Sequence, residues 1–192
     1  NVGVSGITGD PANPRRSARQ TPPLPIGGSG AAIVRGFEKL GWHWWPSDNA
    51  ILSRDYDGRS ACDNRGGCNF GCALKAKASA DITYWPKALR AGATLRTRAR
   101  VKEITVTDDG RVKGVAYFDA KGAIHEQLAR VVVVCCNGIG TPRILLASKS
   151  RRYPDGLANS TGGVGKYLMN HPSRYVEGVF DEPFEATTHA SN

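Results

Sequence analysis

Between positions 94 and 128 the chain changes from irregular to alternating hydrophobic and polar residues, and a period of two predicts β-strands. Small or apolar residues occupy every second place from 95 to 101, and basic residues occupy the places between them. Asp109-Gly110 and the sequence at 119–122 are typical of tight turns. The pattern therefore predicts a three-stranded antiparallel meander.

A different pattern follows in residues 131–136, where Val-Val-Val-Val-Cys-Cys does not alternate. A continuous apolar run predicts a strand buried on both faces, as in the centre of a parallel sheet. After the loop at 137–140, Thr141 is expected to cap a helix whose first residue is Pro142. Residues 131–148 are thus predicted to be a buried strand-loop-helix unit of an α/β fold.

Helical signals are sparse in the first half of the chain. Ser29 is predicted to cap a helix that runs to Leu40 and packs through an apolar stripe. Pro86 is predicted to begin a second helix that ends at Arg90. The Trp-His-Trp-Trp sequence at 42–45 favours core packing, and the alternative is a surface that stacks on a sugar or a base.

Composition narrows the class of protein. The 192 residues are 40% hydrophobic and 22% charged, which is typical of a globular chain. Since no apolar run approaches the roughly 20 residues that cross a bilayer, no transmembrane segment is expected. No signal peptide is visible, and the sequence leaves a cytoplasmic and a periplasmic location open. The net charge of +9 raises a basic nucleic-acid-binding module as an alternative function, although no nucleic-acid motif is present.

The loop at 137–140 carries candidate binding chemistry. A strand, a glycine loop and a helix N-terminus together present free N–H groups and a positive dipole to an anion. Gly138 and Gly140 are expected to admit a ligand closely because neither has a Cβ. A tight strand-to-helix turn explains the two glycines equally well.

Three of the five cysteines lie close together in a glycine-rich loop. Cys62, Cys68 and Cys72 suit a three-iron cluster, or a zinc site that Asp63 completes. The alternative is a set of small buried residues in a compact loop. The pair at 135–136 is expected to be buried.

In this order the motifs resemble those of the glucose–methanol–choline (GMC) oxidoreductases, which are FAD-dependent alcohol and sugar dehydrogenases or oxidases. The resemblance is nearest to the gluconate, glucose and fructose dehydrogenase branch. It covers about two thirds of the chain, in the stretches 58–62, 71–79, 83–88, 92–95, 101–104, 136–146, 156–160 and 164–172.

The resemblance implies a role for particular residues. It places the backbone of Val101 against the FAD adenine. It also aligns a six-residue signature with the adenosine and pyrophosphate: Asn137, Gly138, Ile139, Gly140, Thr141 and Pro142. The cysteine spacing matches the 3Fe-4S ligands of cytochrome-linked relatives, although Ala73 replaces the proline that commonly follows Cys72. His171 belongs to a different motif from the catalytic His, so no catalytic residue is expected in this chain.

The fold that the resemblance implies is the central part of a Rossmann-like FAD-binding domain over residues 1–172, without the N-terminal βαβ unit. Residues 173–192 are expected to start a substrate-binding domain. The implied function is hydride transfer to FAD from the CH–OH group of an alcohol, sugar or sugar acid. A cytochrome or other electron-acceptor subunit is the implied partner, and nucleic acid is not. The isolated chain is expected to be inactive, and a degenerate non-catalytic domain is the alternative.

Overall fold

The computed structural model describes residues 2–12, 14 and 17–181. It divides into two compact units. The first unit comprises Asn1–Thr94 with Glu177–Asn192, and the second comprises Leu95–Val176.

Isolated backbone bridges, rather than a sheet, hold the first unit together. Ser5 pairs in parallel with Thr21 and antiparallel with Asn49, which joins three segments that are distant in sequence. Leu52 and Ala76 are fully buried, and the Leu52 N–H donates to the Ala76 carbonyl over 3.1 Å. This small core leaves most of the unit's apolar residues partly exposed.

Three helices belong to the first unit: α1 (Gly28–Lys39), α2 (Ala80–Thr83) and α3 (Trp85–Arg90). The predicted helix ending at Arg90 is confirmed, although α3 begins one residue earlier than Pro86, at Trp85. In α1 the N-cap is Gly27 instead of Ser29, so no side chain caps the helix. The predicted packing stripe is wrong, because Ile33 is 55% exposed and no residue of α1 is buried.

The second unit contains the predicted meander. Strands β1 (Arg100–Val106), β2 (Val112–Phe118) and β3 (Ile124–Leu128) form an antiparallel sheet in the order β1-β2-β3. Its buried face includes Ile104 and Tyr117. The prediction from alternation and turn residues is thereby confirmed.

Strand β1 begins later than its pattern predicts. Residues 95–99 alternate in sequence but form no strand, because Arg98 adopts a left-handed conformation with φ of 52°. The Arg96 guanidinium instead lies 5.2 Å from the centre of the Tyr117 ring and donates to its hydroxyl. Arg96 and Arg98 therefore do not lie with the basic residues of β1 on one solvent-exposed strand face.

The apolar run at 131–136 differs most from expectation. It forms no strand and pairs with none of the described strands, and its exposure alternates, with Val131 at 76% and Val133 at 78%. Burial on both faces is therefore wrong, and Cys135 is exposed. A run of valines shows that a segment is apolar, but the segment is buried on both faces only where other elements of the fold cover it. The helix α4 (Asn137–Ala147) follows directly.

The segment expected to start a substrate-binding domain, 173–192, forms no strand in the described part of the chain. Residues 173–181 have no secondary structure, and Val176 and Val179 are almost fully exposed. The remaining residues of the expected substrate-domain segment, 182–192, lie outside the described residues. No helix within the described ranges has the length and hydrophobicity to cross a membrane.

Positive charge is concentrated in the second unit. Leu95–Val176 holds 14 Lys and Arg residues against 6 Asp and Glu residues, whereas the whole chain has 26 against 17. The first unit is thus close to neutral. The positive potential of the chain belongs to the meander, to α4 and to the segments that join and follow them.

Candidate functional site

Helix α4 is fixed to strand β1 by one buried serine. The backbone N–H of Ile104 donates to the Ser148 hydroxyl over 2.8 Å, and that hydroxyl donates to the Ile144 carbonyl over 2.7 Å. Ser148 is only 2% exposed. Because the same oxygen bonds both elements, the first strand of the sheet and the last turn of the helix are held in a defined position.

This arrangement leaves a cavity of about 250 Å³ between the sheet and the helix. Its walls come from three elements: Arg100, Val101 and Lys102 of β1, Phe118 of β2, and Arg143, Ile144 and Ala147 of α4. The structure thus brings Val101 together with the helix that carries the 137–142 signature. The sequence had related these positions only through the family resemblance.

The cavity is cationic and partly aromatic. The Arg100 guanidinium lies 5.2 Å from the centre of the Phe118 ring. Lys102 is paired with Glu103 over 3.0 Å, and none of the described residues that line the cavity is acidic. Such a lining suits a planar ring that carries phosphate groups, because the ring packs on apolar surface while the phosphates meet cations.

A β-bulge shapes the strand beside the cavity. Val101 is opposite Tyr117 and Glu103 is opposite Ala116, so Lys102 is the extra residue. Val101 is 37% exposed, and among the described strands β1 has a neighbour on one side only. An edge strand with a local bulge can present backbone groups to a ligand.

Helix α4 begins at Asn137, not at Pro142 as expected. The Asn137 side-chain oxygen accepts from the N–H groups of Ile139 (2.9 Å) and Gly140 (3.1 Å). The predicted N-cap at Thr141 is wrong, because Cys136 is the N-cap and Thr141 lies inside the helix, where its hydroxyl accepts from the Cys136 N–H over 3.2 Å. These local bonds complete a helical turn ahead of the proline, which the sequence pattern assigned to the loop.

The two glycines of the loop have different surroundings. A Cβ at Gly138 would meet nothing within 4 Å, so its backbone is open to a ligand. A Cβ at Gly140 would lie 3.0 Å from the Cys136 Cβ, so this glycine serves the packing of the turn. Because Asn137 already uses the N–H groups of Ile139 and Gly140, the expected cradle of free donors is smaller than predicted.

The segment after α4 packs on that helix through glycine. A Cβ at Gly156 (φ 95°) would lie 2.6 Å from the Leu145 carbonyl oxygen, and the Leu157 N–H donates to that oxygen over 2.9 Å. Gly165 approaches the Leu146 side chain similarly. Sequence reasoning assigned no role to these residues or to Ser148, since only the tertiary fold brings them to α4.

The three cysteines of the 62–72 loop do not come together as a group of metal ligands in the described part of the chain. All three are half-buried free thiols, and the described residues include no group of three or more His, Cys, Asp or Glu side chains that could hold a metal ion. The Cys62 sulfur instead accepts from the Asn64 N–H over 3.4 Å. The expected 3Fe-4S cluster is thus not supported, because spacing in sequence does not make sulfurs converge.

Cys72 has a distinct environment within that loop. Hydrogen bonds from backbone N–H groups, first that of Lys77 and then those of its neighbours, lower the pKa of its thiol. Burial raises the pKa, but by less than the Lys77 hydrogen bond lowers it. The loop therefore makes the Cys72 thiol more acidic than an ordinary cysteine.

Comparison with known proteins identifies relatives along most of the chain. A family model described as GMC oxidoreductase matches residues 19–173. The chain is 46% identical to the 2-methyl-1,2-propanediol dehydrogenase of Mycolicibacterium austroafricanum, over 92% of this chain and 32% of that protein. It is 30% identical to the fructose dehydrogenase large subunit of Gluconobacter japonicus, over 89% of this chain and 32% of that protein.

A third relative is the paromamine 6'-oxidase of Streptomyces fradiae, which is 36% identical over 77% of this chain and 28% of that protein. The chain spans about a third of the length of the curated relatives it matches. Their names include an alcohol, a sugar and an aminoglycoside as substrates.

Proposed function

Because this chain belongs to the GMC oxidoreductase family, we propose that it forms the central, adenosine-binding part of an FAD-dependent oxidoreductase that oxidises a CH–OH group. The observation that carries the proposal is the cationic cavity between β1 and α4. Val101 lines that cavity with residues of α4 that directly follow the 137–142 signature. The family resemblance assigns Val101 and the signature itself to FAD.

The residues present fit the adenosine end of FAD. The aromatic and aliphatic walls, Phe118 and Ile144, suit a purine ring, and Arg100 and Arg143 suit its phosphates. The open backbone at Gly138 allows a ligand to approach the start of α4. FAD, when bound, supplies the acceptor for the hydride of the alcohol.

The chain's own contribution is binding and orientation rather than proton transfer. We assign no catalytic residue to it. His171 is exposed and does not line the cavity, so we do not assign it as a general base. The isolated chain is therefore expected to have no dehydrogenase activity.

For the whole protein we propose an alcohol, sugar or sugar-acid substrate. The names of the relatives support this range, from a branched diol to fructose. One relative is named a large subunit, which supports an electron-acceptor subunit as partner. The charge of the second unit is then explained by a phosphate-bearing cofactor, and the nucleic-acid alternative loses its main argument.

The test is flavin retention by the native protein that contains this chain. Purified protein is expected to show flavin absorbance that bleaches when an alcohol or sugar substrate is added. Arg143→Ala removes a cation of the cavity and is expected to lower FAD retention about tenfold, roughly the loss of one charge-assisted hydrogen bond.

The matched control is Arg111→Ala, since Arg111 lies on the β1–β2 turn, outside the cavity. It is expected to retain flavin like the wild type. A colourless protein that neither contains nor takes up FAD would overturn the proposal. Equal flavin loss in both arginine variants would remove the assignment of the cavity.

A further inference from the structure

Two of the three cysteines in the 62–72 loop lie close together along a tightly folded stretch of the first unit. Cys68 and Cys72 are half-buried free thiols, and three residues separate them in the sequence. The part of the chain that the structure describes has no group of three metal ligands. A disulfide needs only two sulfurs, so this loop can carry redox chemistry without a metal.

The backbone of the loop folds back on itself between these cysteines. The Phe70 N–H donates to the Gly67 carbonyl over 3.0 Å, which closes a turn. A Cβ at Gly67 would lie 3.7 Å from the Gly71 carbonyl oxygen, so the two glycines approach closely. Cys68 directly follows the first of them, and Cys72 directly follows the second. Because consecutive Cα atoms are about 3.8 Å apart, the two cysteines flank this close approach.

Both cysteines also contact one anchored residue, Lys77. Its Nζ donates to the Cys68 carbonyl over 2.7 Å, and its backbone N–H donates to the Cys72 sulfur. Lys77 forms an antiparallel bridge with Ile51, which precedes the fully buried Leu52. The two cysteines are therefore held against the same point at the edge of the small core.

Glycines give the loop the backbone freedom that a short disulfide loop needs. Gly66 has a φ of 74° and Gly71 a φ of 121°, both in the region that favours glycine. A disulfide requires a Cα separation of roughly 4.4–6.8 Å. Because Gly66, Gly67 and Gly71 carry no side chain, the loop can adjust to that separation without a steric clash at these positions.

The third cysteine of the loop has partners of its own. The Cys62 thiol donates to the Asn64 side-chain oxygen over 3.6 Å, and its sulfur accepts from the Asn64 N–H over 3.4 Å. The Cys62 backbone N–H donates to the Leu52 carbonyl over 2.8 Å. Cys62 is therefore the reference thiol for the pair, in the same loop and with the same half-buried exposure.

We propose that Cys68 and Cys72 form a reversible disulfide when the protein is exposed to hydrogen peroxide. The two S–H bonds and the O–O bond of the peroxide break, the S–S bond forms, and two water molecules leave. The thiols are oxidised by two electrons and the peroxide is reduced by two. Two molecules of a small thiol such as glutathione reverse the step by exchange and are oxidised to their own disulfide.

The site goes beyond the proposed flavin function, because it uses no residue of the cavity between β1 and α4. The pair lies beside Phe70, whose side chain is 99% exposed. An exposed loop leaves the bond accessible to reductants, and exposed disulfides are the labile ones. The bond would therefore be a reversible modification rather than a permanent part of the fold.

The sequence allows the pairing to be read directly. Trypsin cleaves after the basic residues 59, 65 and 75, so Cys62 lies in peptide 60–65, and Cys68 and Cys72 lie in peptide 66–75. The native protein that contains this chain is reduced, freed of reductant, treated with hydrogen peroxide, denatured and alkylated with iodoacetamide. We expect peptide 66–75 to lack both alkyl groups and two hydrogen atoms, while peptide 60–65 is alkylated. Dithiothreitol before alkylation should restore both thiols.

A second measurement tests whether the fold favours the bond. In a glutathione redox buffer, the ratio of disulfide to dithiol in peptide 66–75 should be about tenfold higher in the native protein than in urea. Cys62→Ser is the matched control and should keep the wild-type ratio. Cys72→Ser should leave Cys68 open to alkylation under all conditions. The peptide mapping uses the wild type, so it stays decisive if a variant does not fold.

Four results would overturn the proposal. The first is a peptide 66–75 that keeps both thiols after peroxide treatment. The second is a peroxide-induced cross-link between peptides 60–65 and 66–75, which would mean that Cys62 is a partner. The third is an equal ratio in the native protein and in urea. The fourth is iron bound by these cysteines in protein purified anaerobically. Since the flavin test uses Arg143 and FAD absorbance, failure of one proposal is distinguishable from failure of the other.

Discussion

Ser148→Ala is the substitution that most directly tests the attachment of α4 to the sheet. The hydroxyl of Ser148 accepts the Ile104 N–H and donates to the Ile144 carbonyl, and alanine removes both bonds at almost constant volume. The change therefore isolates hydrogen bonding from packing.

The size of the destabilisation depends on which of the two backbone groups loses its hydrogen bond in Ser148→Ala. The Ile144 carbonyl still accepts from the Ser148 backbone N–H over 3.0 Å, so it stays satisfied. The Ile104 N–H loses its described partner, and Ile104 is only 7% exposed. An unsatisfied buried donor costs about 1–3 kcal/mol, so we expect the free energy of unfolding to fall by about 2 kcal/mol.

The assay combines urea unfolding with amide hydrogen exchange. A loss of about 2 kcal/mol corresponds to about 30-fold faster exchange at the Ile104 amide if exchange follows opening of this unit. Ser173→Ala is the matched control, because Ser173 is an exposed residue of the same unit. Its effect should stay within about 0.5 kcal/mol.

The reasoning is refuted if Ser148→Ala behaves like Ser173→Ala. It is also refuted if the free energy falls while the Ile104 amide exchanges at its original rate. The second result would mean that the stability of the unit does not pass through this hydrogen bond.

Three further predictions concern other positions. Gly156→Ala places a Cβ only 2.6 Å from a carbonyl oxygen of α4 at a residue with positive φ. Gly122→Ala is the control, because φ there is 84° but the space is open. In urea unfolding, Gly156→Ala should lower the free energy of unfolding by about 1–3 kcal/mol more than Gly122→Ala does. Because the pKa of Cys72 is lowered, its pH profile of iodoacetamide labelling, read by mass spectrometry, should have a midpoint below that of an unperturbed cysteine. The hydrogen bond with His125 lowers the pKa of Asp119. The ionised carboxylate therefore contributes its full stabilisation above the ordinary pKa range of Asp, and this stabilisation is lost as the pH falls through the lowered pKa. Asp119→Asn should thus reduce the loss of stability that the wild type shows at acidic pH.

Each of these has a clear contrary result. Equal destabilisation by Gly156→Ala and Gly122→Ala would show that the close contact of the new Cβ with α4 does not lower the free energy of unfolding. A Cys72 midpoint at or above the ordinary thiol value would contradict the role given to the backbone N–H groups. An acid limb that is unchanged in Asp119→Asn would separate that carboxylate from acid unfolding.

The parts of the fold that the sequence predicts well are those set by local interactions. Strands β2 and β3 follow from alternation and from the turn that ends at Gly122, and α3 follows from Pro86. Neighbouring residues decide these elements, so a window of the sequence contains the necessary information.

The parts that sequence reasoning misses depend on side-chain bonds or on distant contacts. The start of α4 moved to Asn137 because one amide oxygen binds two N–H groups of the following turn. The cavity beside Val101 exists because Ser148 joins two elements 44 positions apart. Cysteine spacing predicted a cluster, but spacing does not fix the distance between sulfurs in a glycine-rich loop.

The concentration of positive charge in the second unit makes cofactor binding there sensitive to ionic strength. A cofactor that carries phosphates would be attracted by the excess cations of Leu95–Val176, so its association rate should fall as salt is added. The nearly balanced first unit adds no such attraction, so cofactor loading is the step of this chain that should respond to cellular salt.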